Sequence, residues 1–395
     1  MEEVFVLGAL RTPIVTKNGR FKSLPAEVLG ASVMRALIRD FPEAGKCLDG
    51  VIGGNAVGTG GNIARLAALT AGIDAQVPAW TIDMQCASAA AALAAAYHAI
   101  ACGEGDVYLA GGMESSSLQP LRVYDSKDAR RAKTPAGDGA YYTAQFSPGD
   151  LDPQTMLKGA ERVAKAEGVT KDALDAWAIE SHRRAAEAQR RGVLAQSIVE
   201  VEGWSKDDGI RPRMSQKLLD RLPLLFGEGS VTTAGTSCLI NDGAAFALLV
   251  SGRWLRARGL HAPARILGTC ALGGNPDESP RGAMRTADAL LTRHGLTYEE
   301  LTAIEFNEAF AVIDVLFERR CPNLLDRYNP LGGALAYGHP YGASGAVLLV
   351  HLLASLAVRG GGLGLLSIAG AGGMGEALLI EGDGGYAAKK SGARE

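Results

Sequence analysis

Two stretches of small residues constrain the fold of this chain more than anything else in it. Ala87–Ala101 is mostly alanine, and Ser344–Val358 carries small and aliphatic side chains around one histidine. Helices with so little bulk let neighbouring backbones approach closely, so they belong between layers rather than on a surface. Each is preceded by one reactive residue, Cys86 in the first case and His339 in the second. Each is followed by an apolar strand pattern that ends in Gly-Gly-Met, at Gly111-Gly112-Met113 and at Gly372-Gly373-Met374. Reactive residue, small helix, strand and Gly-Gly-Met thus occur twice, which predicts an internally duplicated half.

The rest of the chain fits strands alternating with helices, the pattern of an α/β fold. Val4-Phe5-Val6-Leu7 reads as a strand, Leu29–Ile38 as a helix, Asp106–Ala110 as a strand and Ala264-Arg265-Ile266-Leu267 as another. Residues 119–240 are more charged and hold a helical stretch, Lys171–Arg191, whose charges read as a solvated face. The tail Gly382–Glu395 has no apolar pattern and is expected to fray.

Composition removes several alternatives. The 51 glycines in 395 residues are about twice the usual share of ~7%, yet they follow no Gly-x-y period, so they serve turns and close packing. Cys47, Cys86, Cys102, Cys238, Cys270 and Cys321 are too scattered for a disulfide scaffold and contain no Cys-x-x-Cys pair for a metal. With 40 basic against 43 acidic residues there is no cationic excess for nucleic acid. The opening Met1-Glu2-Glu3-Val4 lacks a basic signal-peptide start. Ala87–Ala101 and Ala346–Val358 fall short of the ~18–20 apolar residues of a membrane span. The expectation is a cytoplasmic protein with no membrane or nucleic-acid partner.

Three segments can carry chemistry. Cys86 lies at the predicted N-terminus of the first small helix, where the positive end of the dipole favours a thiolate. The plainer alternative is a small buried hydrophobe, which is how most free cysteines behave. His339 is held in Gly338-His339-Pro340 just before the second small helix, although a lone histidine is more often structural. Asn307-Glu308 follows the strand-like Ile304-Glu305-Phe306 and fits a helix N-cap. Asn307 could instead hold a water or donate to an oxyanion. A cysteine with a histidine is the minimal kit for acyl transfer through a thioester.

Taken together these segments resemble the thiolase family, with matches running nearly end to end. They are Arg11-Thr12-Pro13-Ile14, Asn62-Ile63-Ala64-Arg65, the cysteine of Met84-Gln85-Cys86, and Gly111-Gly112-Met113-Glu114-Ser115. Val231–Gly235, Ile240–Ala245, Asn307–Ala311 and Gly338-His339-Pro340 follow in family order. The resemblance implies a five-layered α/β/α/β/α fold of two duplicated halves. Residues 1–118 with 241–262 would form the N-terminal half and 263–395 the C-terminal half. Residues 119–240 would form a loop domain over coenzyme A.

The resemblance further implies that Cys86 is the nucleophile, that His339 takes its proton, and that Asn307 holds an oxyanion water with His339. The backbone N–H groups of Cys86 and Ala371 would form a second oxyanion hole. Ser237, Cys238, Met156, Phe310 and Ala311 would contact substrate, with Arg211 and Arg213 at the nucleotide end. Coenzyme A would be substrate or product, no cofactor or metal is implied, and a homodimer or homotetramer is expected.

One departure stands out. The family's second cysteine, which moves the α-proton, aligns with Ala369, and no cysteine follows Cys321. Cys238 replaces the family's serine, and Thr236 its asparagine. Three readings follow: a thiolase-type enzyme making or cleaving a 3-oxoacyl-CoA through acyl-Cys86; acyl transfer to a decarboxylating, phenolic or otherwise activated acceptor; or a non-catalytic acyl-CoA-binding subunit.

Overall fold

The structure is a computed structural model and describes residues 1–148 and 151–386. Apolar and β-branched runs form strands β1 (Val4–Arg11), β2 (Val15–Thr16), β3 (Gly50–Gly54), β4 (Ala79–Ile82) and β5 (Val107–Ser115). The two-residue pair β6 (Arg122–Val123) and β7 (Ala140–Tyr141) makes a separate ribbon. The remaining strands are β8 (Asn241–Ser251), β9 (Ala264–Leu272), β10 (Ala303–Phe306), β11 (Gly362–Gly370) and β12 (Met374–Gly382).

The main sheet runs β10-β11-β12-β9-β1-β8-β5-β3-β4, with β2 beside β8. Its two halves repeat one another. β1 pairs antiparallel with β8, β8 antiparallel with β5, and β5 parallel with β3. β9, β12, β11 and β10 repeat those three relationships in the same order. β4 extends the first half in parallel, and a single parallel bridge from Ile304 to Tyr328 takes that place in the second. The halves meet where Val4–Val6 of β1 pairs with β9.

Three hydrophobic clusters separate the layers. The helices Ala26–Asp40 and Ile63–Thr70 cover the outer face of the first half. Gly282–His294 and Ala311–Arg320 cover the outer face of the second. Between the two halves of the sheet lie the two small-residue helices, Ser88–Ala101 and Ser344–Val358. Their approach depends on the missing bulk: a Cβ on Gly345 would stand 2.3 Å from the backbone nitrogen of Ala90. This is the five-layered α/β arrangement that the resemblance implies. Counted from Tyr341, the second central helix reaches 18 residues at a mean hydropathy of 1.8, long and apolar enough for a span. It is 83% buried inside the protein, as a core helix is.

Other expectations need correction. The two Gly-Gly-Met segments are not equivalent, because Gly111 and Gly112 lie within β5 whereas Gly372 and Gly373 form the positive-φ turn between β11 and β12. The Lys171–Arg191 helix forms as expected, but its inner face buries Asp175, Ser181 and His182 as well as apolar residues. The start of the tail is ordered: Asp383 N–H donates to Pro263, and the Tyr386 hydroxyl donates to the Ala9 carbonyl. Residues 387–395 lie outside the described residues.

Residues 119–240 are tied to both halves through buried polar contacts. Arg11, fully buried, grips Asp207 with two N–H groups at 2.7 and 2.8 Å. Ser181 donates to Glu308 of the second half, and within the region Glu161 accepts from the backbone of Val231 and Thr232.

Candidate functional site

The first central helix starts at Ser88, and the chain reaches it through a tight turn that presents Cys86. Gln85 sits in the left-handed region at φ 54°, a conformation that costs a non-glycine residue about 1 kcal/mol or more. Ser88 holds the turn shut: its Oγ accepts from Met84 N–H at 2.8 Å and donates to the Gln85 carbonyl at 2.6 Å. Burial pushes the Cys86 thiol up to about 12, while the N–H groups of Ala371 and of Cys86 itself, aimed at the sulfur, pull the other way. The expected dipole-lowered thiolate is therefore corrected: desolvation wins, and the resting group is a thiol.

His339 precedes the second central helix and is almost fully buried. Its Nδ1 lies 2.6 Å from Ser344 Oγ, and that hydroxyl donates its one proton to the Pro340 carbonyl at 3.0 Å. Nδ1 must therefore carry the hydrogen, which leaves Nε2 as the basic nitrogen. Burial pushes the imidazole down to about 3, so it stays neutral at ordinary pH. Asn307 Nδ2 stands 3.4 Å from His339 Nε2 and is its only described polar neighbour on that side. Asn307 is not an N-cap. It follows β10, and Phe310 occupies the cap position of the helix beginning at Ala311.

Glu114 joins the loop after β3 to the His339 turn. Its carboxylate accepts from Asn55 Nδ2 and from the N–H groups of Ala56 and Val57 on one side, and from Gly342 N–H at 2.9 Å on the other. A Cβ on Gly342 would lie 2.6 Å from the Asn55 Cα, so only glycine lets the histidine turn press this close. Burial raises the Glu114 carboxyl to about 7 despite those donors.

These elements enclose a cavity of about 250 Å³. Cys86, His339, Ser237, Cys238, Met156, Phe310 and Ala371, all expected from sequence, line it. Cys238 is fixed by its N–H to the Ala309 carbonyl at 3.0 Å, and its thiol is pushed up by burial and by nearby Cys86. Tyr341 also lines the cavity, its ring edge-on to His339 at 4.9 Å between centroids. Ala311 is buried behind Phe310 and does not line it. Arg211 lines a neighbouring cavity of about 330 Å³ with His182, which shares Ser237 with the first. Arg211 N–H donates to His182 Nδ1, whose imidazole burial and the Arg211 charge push down to about 4. Arg213 is exposed and lines neither cavity.

A half-buried thiol faced by two backbone N–H groups, beside a neutral histidine of fixed tautomer, can form and break a thioester. Comparison with known proteins agrees. Residues 4–253 match the description "Thiolase, N-terminal domain" and residues 260–382 match "Thiolase, C-terminal domain". The chain belongs to the thiolase family. A 3-oxoadipyl-CoA/3-oxo-5,6-dehydrosuberyl-CoA thiolase of Escherichia coli is 33% identical over 96% of this chain and 100% of its own. An acetyl-CoA acetyltransferase structure from Bacillus anthracis superposes with a TM-score of 0.90 at 28% identity, covering 97% of this chain and 99% of that one. The human mitochondrial 3-ketoacyl-CoA thiolase in complex with CoA gives 0.88 at 28% identity, covering 96% and 98%. This thiolase is thus an acyltransferase enzyme.

Ser88, Ser344, Gln85 and Tyr341 were not singled out from sequence, because their roles come from turn geometry. Ser344 alone left a signal, as a hydroxyl five residues after the histidine. Ala369 lies in β11 with its methyl packed near Gly282 in the second half's core, and it does not line the cavity.

Proposed function

We propose that this thiolase works through an acyl-Cys86 thioester and makes or cleaves a 3-oxoacyl-CoA. The carrying observation is that Cys86 and His339 line one cavity while the N–H groups of Cys86 and Ala371 point at the sulfur. His339 Nε2 takes the thiol proton as sulfur attacks the acyl-CoA carbonyl. The oxyanion rests on the two N–H groups, and the coenzyme A thiolate leaves with the proton from the imidazolium. In synthesis, a second acyl-CoA gives its α-proton to the thiolate form of Cys238 and its enolate attacks acyl-Cys86; the Cys86 thiolate that leaves takes that proton back, and a water held by Asn307 donates to the enolate oxygen.

Ala369 has no proton to move, so Cys238, in the same cavity, is assigned that transfer in part. Coenzyme A would lie along Met156, Ser237 and Phe310 under residues 119–240, with its nucleotide end toward Arg211, while Arg213 and Ala311 lie outside both cavities. Intact mass after mixing with acetyl-CoA tests the scheme: one acetyl adduct that disappears in Cys86→Ser is expected, and no adduct with any acyl-CoA overturns it.

The missing thiol favours a second reading, transfer of the acyl group to an acceptor that needs no α-deprotonation. Acetoacetyl-CoA thiolysis separates the two. We also assign a homodimer or homotetramer, supported by the open edge at β4, where Trp80 is 38% exposed beside Leu66 at 50% and Leu69 at 45%. Light scattering coupled to size exclusion tests this assignment.

A further inference from the structure

The catalytic cavity carries one charge that the chemistry at Cys86 does not use. No carboxylate lines it among the described residues, and His339 is neutral, so Arg122 is its one permanent cation. Arg122 opens the short strand β6 and is half-buried. Its Nη2 donates to the Gly58 carbonyl at 2.9 Å, and its Nη1 reaches the Tyr142 carbonyl at 3.4 Å. Those two carbonyls hold the guanidinium between two loops and leave other N–H donors without a described acceptor. Among the described residues Arg122 has no ion-pair partner.

Arg122 also lines a second, more open cavity of about 770 Å³. The other charges there are accounted for. Arg130 is bound to Asp128 at 2.6 Å and stacks over Tyr124. Asp83 accepts from Gln85 N–H, and Asp125 accepts from Lys127 N–H. Both carboxylates belong to the outer cavity and not to the inner one, so an anion approaching from Cys86 meets Arg122 before it meets either.

The inner cavity is lined by Met156, Ser237, Cys238 and Phe310, assigned above to coenzyme A, and also by Val57, Gln119, Arg122, Tyr142 and Phe146, among which Gln119 and Arg122 both reach the Tyr142 carbonyl. An acyl chain on Cys86 that points away from coenzyme A meets this second set. Val57 and Phe146 offer it apolar contact, and Arg122 with Gln119 offers hydrogen-bond donors. A carboxylate is the group that a planar, partly desolvated guanidinium recognises best. We propose that Arg122 receives a terminal carboxylate on the acyl group, so that the enzyme prefers ω-carboxyacyl-CoA thioesters over unsubstituted ones of equal length. The proposal rests on the acyl-CoA reading of the site.

Calorimetric titration of a Cys86→Ala background tests it without turnover. Adipoyl-CoA and hexanoyl-CoA have equal chain length and differ by one carboxylate, and the corresponding pantetheine thioesters lack the nucleotide phosphates. The adipoyl member of each pair should bind about 10- to 100-fold more tightly, the range of a charge-assisted hydrogen bond. Arg122→Gln should abolish that preference while shifting hexanoyl-CoA affinity by less than about threefold, and Arg122→Lys should keep part of it.

Equal binding of the two acyl groups overturns the proposal. So does an Arg122→Gln loss shared by both CoA thioesters and absent from both pantetheine thioesters, which would place a coenzyme A phosphate at Arg122. A loss shared by all four thioesters would make Arg122 purely structural. Should the unmodified enzyme form an acetyl adduct while the preference is absent, only the Arg122 proposal fails. Should nothing bind and no adduct form, the acyl-CoA reading fails and takes this proposal with it.

Discussion

Ser344 Oγ lies 2.6 Å from His339 Nδ1 and passes its own proton to the Pro340 carbonyl, which fixes the imidazole as the Nδ1–H tautomer. The six residues from His339 to Ser344 thereby decide which nitrogen can act as a base. Ser344→Ala removes the acceptor and frees the tautomer and ring angle. Thiolysis should lose about 10- to 100-fold in kcat, the usual effect of removing a partner that orients a functional histidine. KM should change little, because Ser344 does not line the substrate cavity. A rise in KM at constant kcat would show that Ser344 shapes binding instead.

The pH dependence of Cys86 alkylation follows from the two groups' directions. Burial holds the thiol up at about 12 and the His339 imidazole down at about 3. Between these values both are neutral, so no thiolate–imidazolium pair forms in the free enzyme. Iodoacetamide reacts with the thiolate, whose fraction rises about tenfold per pH unit while the thiol dominates. The alkylation rate should therefore climb from pH 7 to pH 10 with no plateau, monitored by peptide mass mapping. A plateau between pH 5 and pH 8 would mean that a stabilised thiolate already exists.

The buried contact between the loop region and the first half predicts a large stability effect. Arg11 is fully buried and bound by Asp207, and its Nε has no partner among the described residues. Asp207→Asn leaves a buried cation without its counter-charge, which typically costs about 3–5 kcal/mol. Urea unfolding should register that loss. Replacing both residues, with Arg11→Met added, should be less destabilising than Asp207→Asn alone, because no charge then remains buried. Equal losses in the single and double variants would show that the guanidinium's packing, rather than its charge, is what matters.

Cys86 and His339 were legible in the sequence because each precedes a small-residue helix, and the duplicated topology makes those two positions correspond. Neighbouring roles were not legible. Gln85 adopts a left-handed φ that no local pattern requires of a glutamine, and Ser88 is an ordinary small residue until the turn folds back on it. The N-cap reading of Asn307 failed because the chain continues four residues past β10 before the helix begins. The thiolate expectation failed because helix polarity is visible in sequence, whereas the desolvation that outweighs it depends on layers far apart in the chain. The two Gly-Gly-Met segments look alike as letters but differ in hydrogen bonding, one paired within a strand and the other closing a hairpin.

The methyl of Ala369 makes the sharpest test of how the α-proton moves. Ala369 lies in β11, two residues before Ala371, whose N–H faces the Cys86 sulfur. A thiol there adds one atom to a position that is 4% exposed near Gly282, an overpacking cost of about 1–3 kcal/mol. The chemical gain should exceed that cost in the assay. A positioned acid–base group contributes about 10²–10⁴-fold, so Ala369→Cys should raise acetoacetyl-CoA thiolysis by at least about tenfold even if the new thiol is imperfectly aimed. Combining it with Cys238→Ser should leave that gain largely intact, since the new group would carry the proton that Cys238 carries in part. Unchanged thiolysis in Ala369→Cys, with Cys86 still acylated by acetyl-CoA, would point instead to an acceptor whose carbon needs no deprotonation.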